Sequence, residues 1–106
     1  MREEYYFNDN GVCTNPDCFT FKCDQGYFQV NTAFLSGQWI NGYTIQLKDR
    51  GASSPVSENG EKFSSEQNAT NDACMKIRKY LKKVEYNVSK LEKEAEGMIN
   101  RQLELF

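Results

Sequence analysis

Two hydrophobic periods divide the chain. Apolar residues alternate with polar ones in the first half, and return every three or four positions in the second. Phe19, Phe21 and Cys23 alternate with Thr20 and Lys22, the period of a strand with one buried face. Asp24-Gln25-Gly26 breaks that strand, and Tyr27 to Val30 begins another. From Trp39 onward Tyr43, Ile45 and Leu47 are apolar, while Thr44, Gln46 and Lys48 are polar. Tyr5, Tyr6 and Phe7 predict a short strand ending at Asn8-Asp9-Asn10-Gly11, because Asn-Gly supplies the positive φ angles of a tight turn. Asn15-Pro16-Asp17 is a further turn signal. Asn41-Gly42 is read as a hairpin turn between residues 38–40 and 43–48, with one long strand as the alternative. Residues 50–60 are rich in Gly, Ser, Pro and Asn, and predict a loop with one extended piece around Pro55-Val56.

The second half reads as helix. Ser64, with Gln67 three residues on, fits a capping box, and Asn71-Asp72 is another possible start. Beyond it Ile77, Leu81, Val84, Val88, Leu91, Ala95, Met98, Gln102 and Leu105 recur at alternating spacings of four and three. No proline interrupts this seam, and Gly97 is its one weak helix former. The expected fold class is α+β in a single domain: a small antiparallel sheet over residues ~3–57, then one long C-terminal helix over residues ~66–104. At 1.5 Å per residue, the roughly 30 residues of the seam would extend about 45 Å. That outreaches a core built from the β half, so a second copy of the chain is the expected partner for the remainder.

Composition narrows the function. With 39% hydrophobic residues and 14 aromatics (7 Phe, 6 Tyr, 1 Trp) the chain is too apolar to be disordered. No apolar run is long enough to cross a bilayer, and no secretory h-region follows the N-terminus, so a cytoplasmic setting is expected. In that setting the triplets Asn68-Ala69-Thr70 and Asn87-Val88-Ser89 are chance matches to the glycosylation pattern. Histidine is absent, which removes the commonest general acid/base and the commonest metal ligand. The chain is therefore read as a non-enzymatic interaction protein.

Cys13, Cys18, Cys23 and Cys74 would suffice in number for a tetrahedral zinc site. Three close thiols and a distant one are unlike the two close pairs of structural sites, and Cys23 falls at an inward-facing strand position. They are read as ordinary thiols, with no metal or other cofactor expected.

Charge along the second half is ordered. Lys76, Arg78, Lys79, Lys82 and Lys83 come early, and Glu85, Glu92, Glu94, Glu96 and Glu104 come late. For one long helix that order opposes the helix dipole. It fits antiparallel pairing of two copies, a basic face for nucleic acid, or a solvated face. A net charge of −2, with −3 in residues 1–63 (5 basic, 8 acidic), argues against a broad DNA-binding surface.

The chain ends Gln102-Leu103-Glu104-Leu105-Phe106. This pentapeptide resembles the motif by which bacterial proteins dock on the DNA sliding clamp: a glutamine, Leu, a small or acidic residue, Leu and Phe. The resemblance covers five residues and implies no fold for the rest. It implies that Leu105 and Phe106 are paired apolar anchors in a groove of the clamp, with Leu103 a further contact and Gln102 hydrogen-bonded at the groove edge. Ile99, Leu103 and Phe106 also continue a helical stripe, so the same residues could serve as the last turn of a packed helix.

Overall fold

The computed structural model describes residues 4–103. Alternation in the first half builds four antiparallel strands that pair in chain order: β1 (Asp17–Cys23), β2 (Gly26–Leu35), β3 (Gln38–Gln46) and β4 (Gly51–Ser54). Asp24-Gln25 forms the expected turn, with Cys23 opposite Gly26. The next hairpin turns at Ser36-Gly37, where φ is 51° and 82°. Positive φ at both central residues matches the right-handed twist of the flanking strands, and glycine adopts it without a Cβ clash. Before the sheet, Phe7 bridges Cys13 around the expected Asn8–Gly11 turn, whose Asn8 carboxamide oxygen accepts from the amides of Asn10 (2.9 Å) and Val12 (3.1 Å).

Asn41-Gly42 is not a turn. It lies inside β3, and Asn41 pairs with Thr32 while Gly42 pairs with Asn31. Both residues have tertiary uses that mimic a turn signal. The Asn41 side chain donates to the Ala69 carbonyl (2.6 Å) and to Asp72 Oδ2 (3.0 Å). Gly42 lets the chain leaving β4 cross close by, since a Cβ there would collide with the Ser54 carbonyl oxygen. The extended piece expected near Pro55-Val56 lies a few residues earlier, as β4, and Val56 itself is buried.

Cross-strand partners share a face. Phe28, Val30, Ile45 and Leu47 point to one side and meet the helices, forming the main core with Cys74, Ile77, Leu81, Leu91 and Ala95. At the β2–β3 turn end the opposite face is closed by a smaller cluster. There Ala33 and Ile40 meet Cys13, Val56 and the aromatic rings of Tyr5 and Phe7.

The expected single long helix is two helices, α1 (Glu66–Leu81) and α2 (Ser89–Leu103). Ser65 rather than Ser64 caps α1, accepting from the Asn68 amide at 3.0 Å. No proline or glycine ends this helix. Residues 82–88 hold Val84, Asn87 and Val88, all of low helix propensity, and Asn87 accepts from the Ser89 amide (3.0 Å) as a cap for α2. A second cap comes from the sheet: Gln25 Oε1, in the β1–β2 turn, accepts from the Lys90 amide at 2.8 Å. The triplet at Asn87 is thus a helix start. α2 runs back along α1, with Cys74 Sγ 3.9 Å from Met98 Sδ and Arg78 3.9 Å from Glu96.

Folding back lets both halves of the seam reach the sheet. Ile77, Leu81, Val88, Leu91 and Ala95 are all 3% exposed or less within one chain, so the length argument for a second copy loses its premise. The charge order is explained as well. Arg78 and Lys79 lie in the last turn of α1 and Glu92 in the first turn of α2, each at the end its dipole favours. Among the described residues no helix is long and apolar enough to cross a membrane.

Candidate functional site

Gln102 and Leu103 are the last two residues of α2, while Leu105 and Phe106 lie outside the described residues. α2 is fixed at its opposite end by Asn87, by Gln25 and by the Lys90–Asp24 ion pair at 2.7 Å.

The five basic residues of α1 and its C-terminal extension separate into two kinds. Lys76 pairs with Asp72 one turn earlier (2.9 Å), and Arg78 pairs with Glu96 across the hairpin. Lys79, Lys82 and Lys83 are exposed and make no ion pair among the described residues. The four cysteines do not converge. Cys13 is buried beneath the N-terminal hairpin, Cys74 lies in the helical core on the other side of the sheet, and Cys18 is exposed on the edge strand. Among the described residues no three His, Cys, Asp or Glu side chains are grouped for a metal.

A cleft of about 370 Å³ opens where the β1–β2 turn, the end of β3 and the α1–α2 connection converge. Lys22, Tyr27, Gln46 and Lys48 line it from the sheet, and Tyr86 and Asn87 from the connection. Register assembles the sheet side: Lys22 pairs with Tyr27, and Tyr27 with Gln46. Lys48 joins them from the bend just beyond the end of β3. Tyr86 is held in place by its hydroxyl, which donates to Asp49 Oδ1 at 2.6 Å, and by the Arg50 guanidinium, 5.8 Å from its ring centroid.

Two carboxylates at this end, Asp24 and Asp49, are already engaged. Asp24 titrates below the usual carboxylate range, first because Lys90 donates a hydrogen bond to it and then through the charge of Lys90. The Tyr86 hydroxyl and then Arg50 lower Asp49 in the same way, and the Tyr86 hydroxyl is pushed up by its bond to Asp49. Lys22 and Lys48 make no ion pair among the described residues. The chemistry on offer is cationic, with amide and phenol hydrogen bonds, and suits an anion.

Sequence reasoning did not find this cleft. Lys22, Lys48 and Tyr86 are far apart in the chain; Lys22 fills an ordinary outward position of β1, and Lys48 lies in the bend that follows β3. Only the register and the helical hairpin bring them together.

The arrangement defines a two-layer α+β domain, a four-stranded antiparallel meander backed on one face by a helical hairpin. No protein-family model, curated protein or solved structure matches the chain.

Proposed function

We propose that this protein is a small non-enzymatic accessory factor that docks on the bacterial DNA sliding clamp through Gln102, Leu103, Leu105 and Phe106. The observation that carries this reading is the pentapeptide Gln-Leu-Glu-Leu-Phe at residues 102–106. Support comes from where it is mounted. Its first two residues, Gln102 and Leu103, close a helix whose opposite end is tied to the sheet by Gln25 and by the Lys90–Asp24 ion pair. The peptide's side chains suit a groove with apolar pockets, because burying a Leu or Phe contributes about 1.5–3 kcal/mol each. A cytoplasmic setting accompanies this reading, since that is where the clamp works.

Calorimetric titration of purified sliding clamp tests the proposal. The intact protein is expected to bind, and the double variant Leu105→Ala/Phe106→Ala to bind at least tenfold more weakly, the equivalent of about 1.4 kcal/mol. No binding by the intact protein, or equal binding by the variant, would overturn it.

A further inference from the structure

We propose a second site on the same molecule: the cleft between the β1–β2 turn and the α1–α2 connection binds single-stranded nucleic acid. Lys22 and Lys48 meet its phosphates, and Tyr27 stacks a base.

Charge in this molecule is polarised along the strands. At the cleft end, residues 22–25, 46–50 and 82–90 carry six basic side chains (Lys22, Lys48, Arg50, Lys82, Lys83, Lys90) against three acidic ones (Asp24, Asp49, Glu85), a balance of +3. At the other end, residues 4–17 and 57–66 carry six acidic side chains against Lys62 alone, a balance of −5. The overall charge of −2 conceals this separation. Within the basic end Asp24 is consumed by Lys90, and Asp49 by Tyr86 and Arg50. The cleft lysines therefore face an incoming anion with little internal competition. Repulsion from the acidic end also orients the molecule toward a polyanion.

Three features select a single strand over a duplex. The cleft is concave and, at about 370 Å³, on the scale of one nucleotide, whereas a duplex needs a protruding helix or ribbon or a broad cationic surface. Tyr27 lies on the inner strand β2 beside Lys22, which combines a π-face with a cation, as stacking platforms for unpaired bases require. Beyond the cleft the open face of the sheet continues with an uncharged row of hydrogen-bonding groups, Thr20, Gln29, Thr44 and Ser53, directly opposite one another across all four strands. That row offers donors and acceptors to base edges that only a single strand presents.

Fluorescence anisotropy with a labelled oligothymidylate of about 15 nucleotides tests the site, a length within the range covered by single-strand platforms. Binding at low salt should weaken as salt rises, because phosphate contacts release counterions. Lys22→Gln/Lys48→Gln should weaken it at least tenfold and make the slope of log K against log salt shallower by about 1.4, or about 0.7 per contact. Tyr27→Ala should cost about tenfold while Tyr27→Phe binds normally, with thermal melts verifying that each variant is folded. Absence of binding at low salt, an unchanged affinity in the lysine double variant, or equal affinity for a duplex of the same length would each overturn the proposal. So would retention of full affinity by Tyr27→Ala. Leu105→Ala/Phe106→Ala should bind the oligonucleotide normally, so the failure of this site and the failure of clamp docking are separately visible.

Discussion

Asn41 joins the two layers of the molecule. Its amide group bonds the Ala69 carbonyl and Asp72 on α1 from a half-buried position in β3. Asn41→Ala is expected to destabilise the fold by about 1–3 kcal/mol, because a partner group is left without its donor, and urea unfolding monitored by circular dichroism measures it. Its neighbour Gly42 fails for a different reason. The Cβ of Gly42→Ala meets the backbone of Ser54 to Val56, which cannot swing away as a side chain would. A loss of about 2 kcal/mol or more is expected in the same assay, larger than for an alanine at the open Gly37, where nothing lies within 4 Å and only the positive φ opposes it. Asp24 and Asp49 set a pH dependence. Their folded pKa values lie below the unsupported value of 3.8, so near that pH the unfolded chain binds more protons. Stability should therefore be fully present above that range and fall as pH drops through it. Asp24→Asn/Asp49→Asn should flatten the decline in acid titrations followed by fluorescence, though both side chains are exposed and solvent screening keeps the effect small.

The helical hairpin is the element on which the architecture turns. α2 begins where two separate groups, Asn87 from its own chain and Gln25 from the β1–β2 turn, satisfy its first amides. Asn87→Ala should cost about 1 kcal/mol, as lost caps do. Gln25→Ala removes a cap that does not exist until the sheet has formed, so it should mainly speed unfolding, while local helix formation is unaffected. Stopped-flow unfolding of the two variants separates these effects. Leu91, fully buried between α2 and the sheet, should lose about 2–5 kcal/mol on truncation to Ala, far more than half-exposed Val84 in the connection.

For the whole molecule, the main consequence is that one chain buries Ile77, Leu81, Val88, Leu91 and Ala95 of the seam by itself. An unfolding midpoint that stays constant across a hundredfold range of protein concentration is expected. A midpoint that rises with concentration would mean that folding is linked to association of copies. The same layout separates charge along the strands and leaves one face of the sheet polar and uncovered at the cleft end. It also aims α2 so that the C-terminal motif starts at the end remote from the cleft, since α2 leaves the cleft at Lys90 and closes at Leu103. The start of the C-terminal pentapeptide and the basic cleft therefore lie at opposite ends of one helix.

Local signals are legible in the chain because they act over a few residues. The alternation of β1 and β3, the turns at Asn8–Gly11 and Asp24-Gln25, the helix start near Ser65 and the apolar seam all follow from side-chain chemistry within one or two turns. Three features needed contacts from afar. Asn41-Gly42 carries a turn signature, but α1 claims the asparagine and the strand crossing from β4 requires the glycine, so the chain stays extended there. Val84 and Val88 keep the heptad spacing across a break of seven residues, 82–88, where burial on the sheet outweighs continued helix. Lys22, Tyr27, Lys48 and Tyr86 become neighbours only through strand register and the hairpin, which no spacing within the sequence encodes. The sequence by itself determined the division into a strand half and a helical half, several of the turns, and what the C-terminal peptide resembles. Tertiary structure alone decided where the helix folds back and which distant side chains share a cleft, since those outcomes minimise exposed apolar surface over the whole chain and not within any window of it.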